Sequence, residues 1–288
     1  MNLGKANVYF LEMRPRASTS TSISRRRQLN WMKSLELFDL SGRSALVTGG
    51  GRGLGKAMAQ ALAEAGADVA VASRDGEACA VAAKEIEKTT GRRAFPGTLD
   101  VSEKESVDSL VKSVFEYLGS VDILVNNSGA TWGAPFEEMP LDKWERVLKV
   151  NLSGTFLMCQ AVIPLMKRRR WGRIINVASV AGLVGSPGFM HAAGYTASKG
   201  GIVALTRELA VKLAMDGIVV NAVAPGFFPT KMSRALTENY GELINRSIPL
   251  GRMGSEDDLK GVTVFLASEA SRYVTGQVIP VDGGSTAT

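Results

Sequence analysis

Short runs of hydrophobic, often β-branched residues alternate with longer amphipathic segments through most of the chain. The first run, Ser44–Thr48, precedes a segment with helical periodicity over 54–65, and the same alternation continues to residue 281. This order is typical of a parallel sheet whose consecutive strands are connected by helices. We therefore predict an α/β fold with a doubly wound parallel sheet of about seven strands and helices on both faces.

The predicted elements follow one another without an internal repeat. Strands are predicted at 44–48, 68–73, 93–99, 122–126, 173–178, 218–223 and 277–281, and helices at 54–65, 77–87, 103–118, 141–166, 195–215, 230–242 and 256–266. The apolar runs have about the length of a strand, whereas a membrane span needs roughly 20 consecutive apolar residues. We expect neither a membrane-spanning segment nor a membrane partner.

The positive charge of the chain is concentrated at its N-terminus. The formal net charge is +6, and residues 1–33 hold seven of the 34 Lys and Arg residues but one of the 28 acidic residues. Residues 34–288 therefore carry 27 cations and 27 anions. Because this part of the chain has no excess of positive charge, we expect no nucleic-acid partner.

Residues 1–33 have no hydrophobic periodicity and are predicted to be a disordered or targeting-like basic tail before a single domain over 34–288. A Ser- and Thr-rich stretch at 17–22 precedes Arg25, Arg26 and Arg27. Such a start resembles an organellar transit peptide, but Met32 could equally mark the true start of the protein. We favour the second interpretation and expect a cytoplasmic location.

Cysteine and histidine usage excludes several kinds of site. Cys79 and Cys159 offer neither a disulfide framework nor the spacing of metal ligands, which fits a reducing compartment and predicts no metal. His191 is the single histidine, and the chain contains no GxSxG nucleophile motif. A Ser-His-Asp hydrolase is therefore not expected.

A glycine-rich turn joins the first strand to the first helix in the sequence Thr48-Gly-Gly-Gly-Arg-Gly-Leu-Gly55. Glycines allow a tight turn and close approach of a pyrophosphate, while the helix N-terminus supplies N–H donors and a positive dipole. A flexible loop is the alternative, but the position between strand and helix favours dinucleotide binding. The spacing is TGxxxGxG rather than GxGxxG.

The end of the second strand indicates the choice of cofactor. An acidic residue there would accept the ribose 2′-hydroxyl groups, but this chain has Ser73 and Arg74. A guanidinium can bind a 2′-phosphate, and Arg52 could contribute a second cation. Asp75 lies one residue further along and could simply cap the next helix. We predict NADP(H).

Four side chains are candidates for the chemistry. Tyr195 and Lys199 lie four apart on a predicted helix, so the ammonium can lower the phenol pKa from about 10. Ser179 follows a strand and could donate to a carbonyl oxygen, or it could only form a turn. Asn151 interrupts a helical pattern, which predicts a local helix distortion or a buried hydrogen-bonding role.

Taken in this order, the motifs resemble the short-chain dehydrogenase/reductase family over residues 38–284, with its single-domain Rossmann-type fold. The resemblance implies a catalytic set of Asn151, Ser179, Tyr195 and Lys199. It also implies an adenine contact after the third strand, an NNAG-like motif at 126–129 and a nicotinamide contact at 225–230. The implied cofactor-binding residues are Gly49, Gly51, Arg52, Gly53, Leu54, Gly55, Ser73, Arg74, Asp100, Val101, Asn127, Gly129, Tyr195, Lys199, Pro225, Gly226, Phe228 and Thr230.

The implied reaction interconverts a ketone and a secondary alcohol of a small-molecule substrate. Residues 72–74, 129–135 and 225–232 look most like gluconate 5-dehydrogenase-type enzymes, and the alternative is a 3-oxoacyl-acyl-carrier-protein reductase. The alternative requires a basic docking patch near the active-site entrance, which Arg168, Arg169 and Arg170 could supply. Val211 stands where these reductases have a second arginine.

Further implications concern the substrate loops and the assembly. The loop 180–194 contains His191, which could bind a polar substrate or be merely solvated. A cofactor-binding sensor without catalysis is an alternative of another class, although such a protein would be expected to have lost Tyr195 or Lys199. The resemblance also implies a homotetramer built through the helices at 141–166 and 195–215.

Overall fold

One seven-stranded parallel sheet organises the computed structural model, which describes residues 32–188, 190–231 and 233–287. The strands are β1 (Ser44–Thr48), β2 (Asp68–Ser73), β3 (Ala94–Thr98), β4 (Ile123–Asn126), β5 (Gly172–Val177), β6 (Ile218–Pro225) and β7 (Val278–Val281). Their order in the sheet is β3-β2-β1-β4-β5-β6-β7, and every neighbouring pair is parallel. The predicted fold class is confirmed. The predicted tail lies outside the described residues, apart from Met32 and Lys33.

Eight α-helices connect and cover the strands in the described part of the chain. They are α1 (Gly53–Glu64), α2 (Gly76–Thr90), α3 (Lys104–Leu118), α4 (Leu141–Leu148), α5 (Gly154–Arg169), α6 (Ala193–Leu213), α7 (Arg234–Ser247) and α8 (Lys260–Ala267). Helix α7 begins later than predicted, because the backbone N–H of Thr230 donates to the Ser233 hydroxyl, 2.9 Å away, and forms a turn there.

Alternation of side chains along the strands builds a separate core on each face of the sheet. On one face, Val47 and Val125 pack with Met58 and Leu62 of α1. On the other face, the intervening strand residue Leu46 packs with side chains of α3, α5 and α6. Because both faces are covered, the strands appear in the sequence as nearly continuous hydrophobic runs.

The direction of strand succession reverses at β1. This strand pairs with β2 on one side and with β4 on the other, so the connections after β1 and β4 run in opposite directions. In open α/β sheets, such a reversal opens a crevice at the carboxyl ends of the strands. The candidate site is therefore expected at this edge.

A π-helical turn at Lys149–Ser153 separates α4 from α5. The predicted continuous helix over 141–166 is thus distorted at Asn151, which is one of the two alternatives that the sequence left open. The whole segment Leu141–Arg169 is also long and apolar enough to cross a membrane, contrary to the expectation from run length. However, its side chains Met158, Val162 and Met166 are fully buried in the core, as in a core helix.

Candidate active site

A cleft of about 2070 Å³ opens at the carboxyl ends of β1, β2, β4, β5 and β6. Every residue predicted to contact the cofactor lines it, as do Ser179, Tyr195 and Lys199. Asn151 is fully buried behind the cleft. The topology therefore brings the predicted cofactor and catalytic residues to one edge of the sheet.

The glycine-rich turn is held in place by Asn127 of the neighbouring strand connection. Its side-chain N–H donates to the carbonyls of Thr48 at 3.0 Å and Gly49 at 3.3 Å. A Cβ at Gly55 would lie 2.3 Å from both the Gly49 oxygen and the Asn127 amide nitrogen. Glycine is therefore required at position 55, where α1 packs directly beneath the turn.

Two cations face the cleft where β2 ends, and their surroundings differ. Arg52 lies 3.3 Å from Asp75, which also caps α2 by accepting from the Ala78 N–H at 3.0 Å. Arg74 is exposed and forms no ion pair within the described residues. The alternative role of Asp75 as a helix cap is thus realised, and Arg74 is the cation free to meet an anionic ligand.

Ser73 is less available than the sequence suggested. Its hydroxyl donates to the Asp75 carbonyl at 3.1 Å and accepts from the Asp75 N–H at 3.2 Å. The same oxygen lies 3.2 Å from the sulfur of Cys79. Ser73 lines the cleft while its hydrogen-bonding capacity serves the turn into α2.

The remaining predicted cofactor residues form the walls of the cleft. The Asp100 carboxylate accepts from the side chain and backbone of Ser102, and the pKa of Asp100 is lowered chiefly by the side-chain bond. Gly226 donates to the Val281 carbonyl at 3.0 Å, which fixes the turn after β6. Val101, Gly129, Pro225, Phe228 and Thr230 complete the lining.

Asn151 occupies the π-helical turn and is saturated with hydrogen bonds. Its side-chain oxygen accepts from the Ala130 N–H at 2.7 Å, and its side-chain nitrogen donates to the Ala130 carbonyl at 2.9 Å. The same nitrogen donates to the hydroxyl of Ser198 at 2.8 Å. Asn151 therefore links the loop after β4 to helix α6.

Ser179 lies two residues beyond the end of β5, is buried and lines the cleft. Its hydroxyl accepts from the Ala181 N–H at 3.2 Å, and Ser179 also acts to lower the pKa of the neighbouring Tyr195 phenol. The turn-forming role and a contact with Tyr195 thus coexist at Ser179.

Tyr195 and Lys199 lie on the first turns of α6, as the spacing predicted. The Lys199 ammonium is 5.5 Å from the centre of the Tyr195 ring and donates to the Val177 carbonyl at 2.6 Å. Lys199 is 3% exposed, and this burial lowers its pKa to about 8. Among the described residues, no carboxylate contributes to the pKa of Lys199.

The surroundings of Tyr195 in the protein do not lower its pKa as the sequence predicted. Burial raises the pKa of Tyr195, and the hydrogen bond with Ser179 only partly opposes this effect. The spacing correctly places Lys199 nearby, but it does not reveal that Lys199 is buried and Tyr195 half-buried. The prediction of a lowered tyrosine pKa is therefore wrong for the protein by itself.

The predicted basic docking patch lies far from this site within one chain. Arg168, Arg169 and Arg170 stand at the end of α5, before β5 begins, whereas Ser179 follows the end of β5. Arg169 lies 3.1 Å from the carboxylate of Asp122, which directly precedes β4. The full length of the sheet therefore separates the patch from the cleft, and its predicted place near the entrance is wrong.

The mouth of the cleft contains the substrate loops. His191 is exposed and lines both the cleft and a smaller adjoining pocket of about 240 Å³. This pocket is lined mainly by apolar side chains, including Ala134, Phe136 and Met190. Lys231 is an exposed cation on the opposite loop.

Comparison with known proteins identifies the family. A family model described as enoyl-(acyl carrier protein) reductase matches residues 49–286. A curated 3-oxoacyl-acyl-carrier-protein reductase from Aquifex aeolicus is 41% identical over 245 residues, which cover 85% of this chain and 98% of the relative. The chain belongs to the short-chain dehydrogenase/reductase family.

Solved structures of the short-chain dehydrogenase/reductase family match the whole fold. A short-chain type dehydrogenase/reductase from Mycobacterium marinum is 40% identical with a TM-score of 0.85, covering 88% of this chain and 99% of that one. A gluconate 5-dehydrogenase from Burkholderia cenocepacia, in complex with NADP and tartrate, is 38% identical with a TM-score of 0.84 and covers 89% and 100%. The protein is an oxidoreductase of this family.

The sequence-based prediction of this short-chain dehydrogenase/reductase's site omitted Ser198 and Ala130, the partners of Asn151. Neither residue carries a pattern signal of its own, since one is a serine within a helix and the other a small loop residue. The single available hint was the position of Ser198 between Tyr195 and Lys199.

Proposed function

We propose that this protein interconverts a ketone and a secondary alcohol using NADP(H), with Tyr195 as the proton carrier. The observation that carries the proposal is the convergence of three groups at the end of β5. Ser179 interacts with the Tyr195 phenol closely enough to oppose the rise of its pKa, and the buried Lys199 ammonium lies beside the Tyr195 ring. All three side chains line the cleft that contains the glycine-rich turn.

The residues present fit a phosphorylated dinucleotide. The turn at Gly49–Gly55 has no room for a side chain at position 55 and ends at the N-terminus of α1, where N–H groups and the helix dipole favour phosphate. The unpaired Arg74 supplies a cation where a 2′-phosphate would lie. The related gluconate 5-dehydrogenase that binds NADP supports the same choice.

When bound, the nicotinamide supplies or accepts the hydride. The hydroxyls of Ser179 and Tyr195 would donate to the substrate carbonyl oxygen, and Tyr195 would give its proton as negative charge develops there. The nearby Lys199 ammonium would stabilise the phenolate that Tyr195 leaves behind. Lys199 would hold the nicotinamide ribose, and Asn151 would fix the loop at Ala130.

We propose two substrate classes, each supported by a different observation. A keto sugar acid is supported by the related gluconate 5-dehydrogenase and by Lys231, a cation at the mouth of the cleft that could bind a carboxylate. A 3-oxoacyl thioester is supported by the curated relative from Aquifex aeolicus and by the apolar pocket beside the cleft. The misplaced arginine patch removes one argument for docking of a carrier protein to the same chain.

One panel of assays tests these proposals. Purified protein is mixed with NADPH or NADH and with 5-ketogluconate, an acetoacetyl thioester or simple ketones, and cofactor oxidation is followed. We expect turnover with NADPH by the wild type and its loss in Tyr195→Phe. Binding of NADPH without turnover of any ketone would instead support a sensor. Equal or greater efficiency with NADH would refute the cofactor assignment.

We also propose that the protein assembles as a homotetramer through α5 and α6. Phe156 of α5 and Val211 of α6 are large apolar side chains exposed to solvent, as is Met215 just after α6. Burial of such a surface between copies is favourable. Light scattering at defined protein concentration measures the mass, and a monomer at all concentrations would refute the proposal.

We also propose a cytoplasmic location. Comparing the location in cells of the full-length protein with that of a protein starting at Met32 tests this proposal.

A further inference from the structure

Ser198 lies completely buried between two proposed catalytic residues. It is 0% exposed, and its hydroxyl accepts from the Asn151 side-chain N–H at 2.8 Å. The same hydroxyl donates its hydrogen to the backbone carbonyl of Tyr195 at 2.7 Å. The single hydrogen and an acceptor position of this hydroxyl are therefore both used, each toward the site.

These bonds continue into the loop after β4. Asn151 also donates to the Ala130 carbonyl at 2.9 Å and accepts from the Ala130 N–H at 2.7 Å. An unbroken series of hydrogen bonds thus runs from Ala130 through Asn151 and Ser198 to the backbone of Tyr195. Within this series, Ser198 is the one side chain that contacts the residue carrying the phenol.

We infer that Ser198 is a positioning residue that fixes the backbone of Tyr195 relative to Asn151, so that the phenol meets Ser179 and the substrate in one geometry. This inference depends on the proposed function of Tyr195. Catalysis is sensitive to displacements of about 1 Å at the reacting groups, so loss of such an anchor lowers turnover more than binding. The hydroxyl itself touches no reacting atom in this assignment.

Helix α6 contains a closely matched arrangement away from the site. Thr206 is also 0% exposed, donates to the Ile202 carbonyl at 2.8 Å, and accepts from the side-chain N–H of Asn176 at 2.9 Å. It differs from Ser198 in being about two helical turns farther along α6. Thr206 therefore reports the effect of removing a buried hydroxyl of this kind without moving Tyr195.

The experiment compares Ser198→Ala with Thr206→Val. Both changes delete one buried hydroxyl and leave an asparagine N–H without its acceptor, so both should lower thermal stability by a similar amount. For Ser198→Ala we expect kcat to fall about tenfold or more with KM for NADPH changed less than about twofold. For Thr206→Val we expect both constants to stay within about twofold of the wild type.

The pH profile of kcat gives a second readout that a purely structural role would not move. A displaced Tyr195 loses part of its bond with Ser179, which acts to lower the phenol pKa. The pH at which turnover changes should therefore shift upward in Ser198→Ala and stay in place in Thr206→Val. Ser198→Thr retains the hydroxyl and should recover most of the lost turnover.

The outcomes separate this inference from the proposed function. If Tyr195→Phe retains turnover, the proposed function itself fails. If Tyr195→Phe is inactive but Ser198→Ala matches Thr206→Val in kcat and pH profile, the positioning role of Ser198 is refuted while the function stands. Circular dichroism of every variant establishes that lost activity does not reflect unfolding.

Discussion

Replacing Lys199 by methionine should make the protein's stability respond differently to pH. The Lys199 ammonium is buried without a carboxylate partner, and this burial moves its pKa from an ordinary 10.5 to about 8. At 1.36 kcal/mol per pKa unit, the displacement corresponds to about 3 kcal/mol of free energy by which folding disfavours the charged form. The lysine kept for chemistry therefore opposes folding near neutral pH.

The direction follows from the protons bound in each state. Between about pH 8 and 10.5 the folded protein has released the Lys199 proton while the unfolded chain still holds it, so stability of the wild type rises with pH in this window. Below pH 8 both states are protonated and the penalty is constant. Lys199→Met lacks this group, and its loss of the bond to Val177 is independent of pH.

Urea unfolding at several pH values between 7 and 10.5 measures the effect. The wild type should gain about 3 kcal/mol relative to Lys199→Met across this range, while the variant is inactive at every pH. Lys212→Met is the control, because Lys212 is exposed and should show no such difference. A stability difference between wild type and Lys199→Met that stays constant within about 1 kcal/mol would refute the reasoning.

Three further predictions concern the cofactor site and the opposite edge of the sheet. Arg74→Ala should weaken NADPH binding about tenfold or more and leave NADH binding nearly unchanged. Arg52→Ala should have a smaller effect, because Arg52 also pairs with Asp75. Fluorescence titration with both cofactors measures the two affinities, and equal losses for NADPH and NADH would contradict the prediction. Gly55→Ala should abolish NADPH binding, because its Cβ would lie 2.3 Å from the Gly49 oxygen. Gly261→Ala is the control and should bind NADPH normally, because a Cβ there would enter open space. Isothermal titration calorimetry measures the NADPH affinity of both variants. Trp171→Ala should lower the free energy of unfolding in urea by about 3 kcal/mol without changing KM, since the ring contacts the guanidinium groups of Arg43 and Arg173 and its N–H donates to Glu269. A loss below about 1 kcal/mol would argue against this reasoning.

The strands could be predicted from the sequence because both faces of a parallel sheet are buried. The runs at 44–48 and 68–73 coincide with β1 and β2 to the residue. Such runs have no competing interpretation as amphipathic helices, and a glycine-rich turn marks the end of the first run. The strand order required the three-dimensional structure, since it depends on the paths of the connections rather than on the runs themselves.

The parts of the site that escaped prediction depend on tertiary contacts. An asparagine within a helical pattern indicated a distortion at Asn151. Because the helical periodicity itself continues through this position, the sequence could not show that the distortion is a π-helical turn. The spacing of Tyr195 and Lys199 shows that they are neighbours, but the depth at which α6 lies determines both pKa values. Likewise, consecutive arginines reveal a basic patch at 168–170 but not which end of the sheet it occupies.

The π-helical turn at Lys149–Ser153 also constrains how the chain can vary. A helix advances about 100° per residue, so deleting one residue here would rotate everything that follows by that angle. Cys159, Ile163 and Lys167 would then take the positions of Met158, Val162 and Met166, so a lysine would replace a fully buried methionine. Shortening the chain at this point would therefore disturb the packing of α5 against the sheet, so the π-helical turn is a requirement of the core as well as of the position of Asn151.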